Sequence, residues 1–149
     1  MAKINSQKKG AAGEREFINR VNAQLGLDLE RNPYRQQKEA GHYDVVGLDW
    51  LAIEVKRYQT ASDAQVYNWW VEACSQADID QVPVLAYRAD RQDWHVVVPL
   101  LFVTDGFSGW CCRPDAHEYD LLGANLTILG FCGLIQPQLV SNDVKDLLT

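Results

Sequence analysis

The sequence has no apolar run long enough to cross a membrane. Its longest nearly apolar stretch, Thr127–Ile135, is nine residues long, far short of the ~20 residues that a transmembrane helix needs. Its first six residues contain no apolar signal-peptide core. These absences predict a cytoplasmic protein.

Cysteines are few, and their spacing follows no metal-binding or disulfide pattern. The sequence contains four, none in a Cys-x-x-Cys pair, and the adjacent Cys111 and Cys112 cannot easily bridge to each other. A zinc finger and a disulfide-framework miniprotein are therefore excluded. Reduced, partly buried thiols are expected in the cytoplasm.

Basic residues are scarce overall but concentrated in the first part of the chain. The 14 Lys and Arg residues against 20 Asp and Glu residues give a net charge of −6, which disfavours a polyanionic partner. Residues 1–57, however, carry 10 basic and 8 acidic residues, a balance of +2, whereas residues 58–149 carry 4 and 12, a balance of −8. This split is compatible with a nucleic-acid-binding half, and equally with random variation of the surface.

The composition is that of an ordinary globular protein. A chain of 149 residues with 47% hydrophobic residues predicts one domain with a single sizeable core. Phe17, Ile18, Val21 and Leu25 recur at helical spacing and predict a helix from about Lys8, which Gly26 ends. A capping-box pattern, Ser-x-x-Gln at 62–65, predicts a second helix over about 62–77.

Several apolar or alternating segments predict strands. They are Asp28–Tyr34, Tyr43–Leu48, Leu51–Tyr58, Pro83–Tyr87 and Trp94–Val98. Further along, the sequence predicts a turn at Asp105–Gly109, a strand or strand pair at Leu126–Ile135 and a short helix at Asp143–Leu148. The order of these elements predicts an α/β fold, with a mixed central sheet flanked by helices.

Two carboxylates and a lysine are predicted to meet on one face of this sheet. Side chains alternate along a strand, so Glu54 and Lys56 share the face opposite Ile53 and Val55. A hairpin turning at Asp49-Trp50 would place Asp44 near Glu54 or Val55 across the ladder, within reach of the Glu54 carboxylate. A surface salt bridge explains the same pattern.

Mg²⁺ would relieve the repulsion between two such carboxylates. It is held in proteins by one or two carboxylates together with waters and phosphate oxygens, and it polarises phosphoryl groups. Lys56 would either orient the attacking water or stabilise the charge that develops on the phosphate. Together these groups predict a metal-dependent phosphodiesterase. Glu14, a third carboxylate, lies on or beside the apolar stripe of the first helix, where a solvated edge position is the alternative interpretation.

Three segments of the chain resemble the PD-(D/E)xK nuclease superfamily. They are Lys9-Gly10-Ala11-Ala12-Gly13-Glu14-Arg15-Glu16-Phe17, Tyr43-Asp44-Val45-Val46 and Ala52-Ile53-Glu54-Val55-Lys56. Within the superfamily, the helix-one glutamate followed by arginine resembles the archaeal-type Holliday junction resolvases and their phage relatives. The similarity covers about residues 8–98, with Tyr43 standing where the superfamily name has proline. Residues 99–149 have no counterpart and would form a C-terminal extension of the single nuclease domain.

The resemblance implies a restriction-endonuclease-like fold and a metal-dependent DNA endonuclease that acts as a homodimer on branched DNA. It implies metal ligation by Asp44 and Glu54, with Glu14 bound to the ion directly or through another ligand, and Lys56 as the catalytic lysine. The expected ion is Mg²⁺, with Mn²⁺ as the alternative, and the expected location is the cytoplasm of a prokaryotic or phage-infected host cell. The alternative functions are a structure-nonspecific nickase or repair nuclease, and a catalytically inactive nucleic-acid-binding protein.

Basic residues near these motifs are expected to bind the DNA phosphates. They are Lys8, Lys9, Arg15, Arg31, Arg35, Lys38 and Arg57. Two other features have open interpretations. Gln65 either caps the second helix or reaches the site, and Trp69 and Trp70 either stack on bases or pack in the core, the core being expected for at least one of them.

Overall fold

The computed structural model describes residues 6–33, 43–111 and 122–148, and the side chains of residues 8–33, 43–106 and 122–139. The helices are α1 (Ser6–Leu25), α2 (Asp63–Gln76), α3 (Leu100–Cys111) and α4 (Ile128–Leu148). The strands are β1 (Glu30–Arg31), β2 (Val45–Val46), β3 (Leu51–Tyr58), β4 (Val82–Ala89), β5 (His95–Pro99) and β6 (Gly123–Leu126).

The strands form one mixed sheet in the order β1-β2-β3-β4-β5-β6. Every neighbouring pair is antiparallel except β3 and β4, which run parallel. The helix α2 makes the crossover between these two strands, as parallel pairing requires. This mixed sheet with its flanking helices confirms the predicted α/β, restriction-endonuclease-like fold class.

Apolar side chains divide between the two faces of the sheet. On one face, Phe17 of α1 packs among Ile53, Val84 and Phe131 in the larger core cluster. On the other face, Trp70 of α2 packs on Leu85, Tyr87 and Val97 in a smaller cluster. The prediction that at least one of the two neighbouring tryptophans is core is confirmed, because Trp70 is buried.

The predicted helices α1 and α2 are confirmed, including their ends. Gly26 adopts a positive φ of 66° after the last turn of α1. The Ser62 side chain accepts a hydrogen bond from the Gln65 backbone N–H, and the Gln65 side chain accepts one from the Ser62 N–H. This reciprocal capping box is the role that the structure gives Gln65.

The C-terminal predictions are partly wrong. The Asp105–Gly109 segment is a kinked part of α3, with Gly106 at φ 72°, and not a turn between elements. The strand expected at Leu126–Ile135 is instead the end of β6 followed by α4. Thr127 caps α4 by accepting a hydrogen bond from the Gly130 N–H (3.0 Å), and the predicted helix at Asp143–Leu148 is the last part of α4.

A glycine allows α1 to lie directly on β3. A Cβ atom built on Gly13 would stand 2.6 Å from the Cβ of Arg57, a separation that side chains do not tolerate. The next residue along α1 is Glu14. The close approach at Gly13 therefore sets where Glu14 stands relative to the sheet.

We expect Gly13→Ala to destabilise the protein, because overpacking typically costs about 1–3 kcal/mol and outweighs the roughly 1 kcal/mol that alanine gains over glycine in a helix. Gly10→Ala is the matched control, since a Cβ there meets nothing within 4 Å, and it should be neutral or stabilising. Urea unfolding of both variants measures the difference. Equal stability of the two would contradict the tight packing at Gly13.

Candidate active site

The β2–β3 hairpin brings Asp44 and Glu54 together. Val45 pairs with Ile53 across the hairpin, and both are buried in the larger core cluster. The preceding residue, Asp44, therefore faces Glu54 on the other side of the sheet. Of the two partners that the predicted hairpin allowed, Glu54 and Val55, the observed register puts Glu54 opposite Asp44, and the predicted convergence of the two carboxyl groups is present.

Backbone groups fix the position of Asp44. Its N–H donates to the Ile53 carbonyl (2.9 Å), and its carbonyl accepts from the Asn32 N–H (2.8 Å). Its side-chain Oδ2 accepts a hydrogen bond from the Val55 N–H (2.8 Å). These hydrogen bonds hold the Asp44 carboxyl group in place beside Glu54.

Burial raises the pKa values of both carboxyl groups. Desolvation, followed by repulsion from Asp44, raises the pKa of Glu54 to about 9. Desolvation also raises the pKa of Asp44, against the opposing effect of the Val55 N–H, and Glu14 adds repulsion. A hydrogen bond between the two carboxyl groups accompanies these shifts. In the absence of a cation, the pair therefore retains a proton at neutral pH.

Lys56 supplies a positive charge on the same face. Its ammonium group lies 3.5 Å from Glu72 Oε2 of α2, and it favours the ionised forms of both Asp44 and Glu54. The side chain is only 18% exposed, whereas that of Glu72 is 47% exposed. Lys56 is thus held between the buried carboxyl pair and the more solvated glutamate.

Glu14 lies at the edge of this cluster and has its own partner. It is 8% exposed, and its Oε2 accepts a hydrogen bond from Arg31 Nε at 2.6 Å. A solvated edge position for Glu14 is therefore not what the structure shows. The negative charge of Glu14 nevertheless repels that of Asp44 and helps to raise the pKa of Asp44.

The donor set fits a divalent cation of the magnesium type. Within the described part of the chain, no group of three or more His, Cys, Asp or Glu side chains is arranged to hold a metal. Two adjoining carboxyl groups, Asp44 and Glu54, are nevertheless what Mg²⁺ takes from a protein when waters and a phosphate complete its shell. A cation there would also replace the proton that the buried pair holds.

The seven predicted DNA-binding cations do not form one group. Arg35 and Lys38 lie outside the described residues. Lys9 and Arg57 both form ion pairs with Asp90, and Arg31 pairs with Glu14. Only Lys8 and Arg15, both exposed on α1, have no ion pair with another described residue.

Sequence reasoning missed two acidic partners of the predicted cations, namely Glu72, which pairs with the predicted catalytic lysine Lys56, and Asp90, which pairs with Lys9 and Arg57. Glu72 could have been suspected, because it lies one turn from the apolar positions of α2 that face the sheet. Asp90 gave no such signal, since it follows β4 and meets Arg57 through the β3–β4 pairing and Lys9 through the packing of α1 over β3.

Comparison with known proteins agrees with this geometry. Neither the curated proteins nor the solved structures gave a match. No helix among the described residues is long and apolar enough to span a membrane. The model of the family described as "Phage putative PDDEXK endonuclease" matches residues 5–108, which include Glu14, Asp44, Glu54 and Lys56. The predicted superfamily is confirmed, and the chain belongs to this phage PDDEXK endonuclease family.

Proposed function

We propose that the protein is a metal-dependent DNA endonuclease that hydrolyses phosphodiester bonds with Asp44, Glu54 and Lys56. One observation carries the proposal: the buried Glu54 carboxyl group contacts the half-buried carboxyl group of Asp44 beside a lysine, on one face of a central strand. The alternative explanation of the same sequence pattern, a surface salt bridge to Lys56, would not require two carboxyl groups in contact with each other. Membership in an endonuclease family supports the same reaction.

Each residue has a distinct part in the proposed reaction. Asp44 and Glu54 would hold Mg²⁺ or Mn²⁺, and the chemistry that such an ion would supply is Lewis-acid activation. The Val55 N–H orients the Asp44 carboxylate. Lys56, largely shielded from solvent, stabilises the negative charge that develops on the phosphate.

In this proposal Glu14 does not bind the cation itself but acts through a group that does. Its 2.6 Å hydrogen bond with Arg31 offsets its charge, and its proximity to Asp44 places it where it would influence the charge of that metal ligand. Such outer ligands tune metal sites even where they do not touch the ion. Glu14 is thus proposed as a positioning residue.

We propose branched DNA, such as a Holliday junction, as the substrate. The test compares cleavage of a labelled four-way junction, its matched linear duplex and single-stranded DNA, each with Mg²⁺ and with EDTA. Preferential, EDTA-sensitive cleavage of the junction supports a resolvase. Equal cleavage of junction and duplex favours a nonspecific nickase, and no cleavage favours an inactive DNA-binding protein.

A resolvase must cut two strands, so we also propose a homodimer in the cytoplasm of the host cell. A twofold dimer places two identical sites at a fixed separation. Exposed apolar side chains of the C-terminal part offer an interface, namely Leu100, Val103, Leu122 and Leu129. Light scattering at micromolar concentration decides between dimer and monomer.

Lys56→Ala is expected to slow cleavage by on the order of 10²–10³-fold, because it removes a charge that acts on the transition state. Metal binding should persist. The matched control is Glu72→Gln, which breaks the same 3.5 Å ion pair while leaving the lysine in place. Single-turnover cleavage rates compare the two variants. Equal losses would assign Lys56 a structural role.

Lys8 and Arg15 are the expected phosphate contacts on α1, because both are exposed and neither has an ion pair with another described residue. Arg15→Ala should weaken binding to all DNA sequences alike and reduce the slope of log K against log salt by about 1. Arg20→Ala on the same helix is the control, since Arg20 is already paired with Asp93. Anisotropy titrations at several salt concentrations measure both. Equal effects of the two changes would contradict a specific contact at Arg15.

A further inference from the structure

A small groove beside the candidate active site has no role in the proposed hydrolysis. It has a volume of about 320 Å³ and lies between α2 and the β4–β6 part of the sheet. This volume is at the lower end of the roughly 300–1,000 Å³ of small-molecule sites. The groove therefore suits one compact group and not a second duplex.

The groove begins one strand away from Lys56. Tyr87, which lines it, is the register partner of Lys56 on the parallel neighbouring strand, and adjacent strands lie about 4.8 Å apart. Helix α2 also connects the two places, because it contributes Tyr67 to the groove and Glu72 to the ion pair with Lys56.

Flat side chains and fixed polar groups form the walls. Among the aromatic residues that line it, Tyr67 is 53% exposed, whereas Trp70 and Tyr87 are buried. Asn125 donates a hydrogen bond to the Tyr87 hydroxyl (3.1 Å), and its Oδ1 lies 3.2 Å from His95 Nδ1. Tyr87 and the His95 ring are stacked, with centroids 4.9 Å apart, so Tyr87 and the Asn125 amide are held in fixed orientations.

Charge excludes a phosphate as the occupant. Asp63 is the one charged side chain among the residues that line the groove, so an anion would be repelled. A carboxylate instead accepts hydrogen bonds from amino groups such as those of cytosine, adenine or guanine. A flat, neutral ring with polar edges matches both the aromatic walls and this acceptor.

We propose that the groove binds an unpaired nucleobase of the DNA substrate, next to the phosphate that is cut. The inference rests on the proposed nuclease function and specifies its substrate: DNA with at least one unpaired nucleotide at the cleavage position, as occurs at a branch. The base stacks against Tyr67, and its polar edge faces Asp63 and Asn125.

The test uses two duplexes that differ in one group. Each carries a single unpaired nucleotide, which is an adenosine in one duplex and an abasic residue in the other, so the backbone is the same. Binding is measured by fluorescence anisotropy in EDTA, and cleavage is measured in parallel with Mg²⁺. We expect the wild-type protein to bind the adenosine duplex roughly 5- to 150-fold more tightly, the range that stacking of one base provides.

Three variants assign this preference to the groove. Tyr67→Ala should abolish most of it, and Tyr67→Phe should keep it, because the phenyl ring still stacks. Tyr58→Ala is the matched control, since Tyr58 is also exposed, at 44%, but does not line the groove. Its preference for the adenosine duplex should match that of the wild type.

The outcomes separate the two proposals. Equal affinity of the wild-type protein for the adenosine and abasic duplexes, or a preference that survives Tyr67→Ala, would overturn the base-binding groove while cleavage leaves the nuclease proposal standing. A wild-type protein that neither binds nor cleaves any of these DNAs would overturn the proposed function itself.

Discussion

Asp44→Asn and Glu54→Gln are each expected to reduce DNA cleavage by at least about a thousandfold. The two carboxyl groups contact each other and are the proposed protein ligands of the cation. An amide keeps the shape of the side chain but removes its negative charge, so the ion and the several kcal/mol of transition-state stabilisation that it supplies are lost. Single-turnover cleavage with Mg²⁺ measures the effect.

Asp49→Asn is the matched control, because Asp49 belongs to the same hairpin but is exposed in the turn between β2 and β3. It should cleave DNA at the wild-type rate. Circular dichroism of all three variants checks that the fold is kept. Full activity in Asp44→Asn or in Glu54→Gln would refute the assignment of these residues as the metal ligands.

The stability of the metal-free protein is expected to fall as the pH rises from about 5 towards 9. Burial raises the pKa of Glu54 from 4.5 to about 9, so between these values the folded protein keeps a proton that the unfolded chain has lost. Stability decreases with pH wherever the folded state binds more protons. The change should amount to at least about 1.4 kcal/mol, the equivalent of one pKa unit, and urea unfolding in EDTA measures it.

Glu54→Gln separates this effect from all other titrations. The amide cannot ionise, so the variant should lose most of the pH dependence and be more stable than the wild type near pH 9. Asp90 and Asp93, whose pKa values are lowered by their cationic partners and hydrogen bonds, affect stability only in more acidic solution. A wild-type stability that is flat from pH 5 to 9 would contradict the raised pKa of Glu54.

The affinity for a metal ion should also depend on pH, because the ion and the proton compete for the same carboxyl groups. A cation that binds the ionised carboxylates must displace the proton they hold, so binding releases protons and strengthens with pH. Calorimetric titration of Mg²⁺ in buffers of different ionisation enthalpy measures this release. The variant Glu54→Gln should release fewer protons than the wild type.

The local parts of the site could be predicted from the sequence. Asp44 and Glu54 are joined by a short hairpin, and the position of its turn determines which residues face each other. The capping box at Ser62 and Gln65 is local in the same sense. Such patterns involve neighbours in sequence, so alternation and spacing are sufficient to recognise them.

The helix α4 could also have been recognised. Ile128, Phe131, Cys132 and Ile135 are all buried, and their spacing of i, i+3, i+4 and i+7 is that of a helix face. The apolar and β-branched character of the segment suggested a strand instead. Thr127 at the N-terminal cap was the missed signal.

Contacts between distant segments could not be predicted in this way. The pairing of Asp90 with Lys9 and Arg57 depends on the parallel register of β3 and β4 and on the packing of α1 over β3. No periodicity encodes these distances. The prediction that all seven basic residues bind DNA phosphates therefore left out the acidic side chains that come close to some of them only in the folded chain.

The hairpin between β2 and β3 also constrains how the length of this chain can vary during evolution. Because successive side chains point to opposite faces, inserting or deleting one residue in its turn would exchange the places of Asp44 and Val45. A hydrophobic side chain would then lie beside Glu54, and a carboxylate would enter the core among Ile53 and Phe17. Selection that retains the carboxyl pair should therefore act against insertions or deletions of an odd number of residues between positions 44 and 54, even while the identities of the turn residues drift.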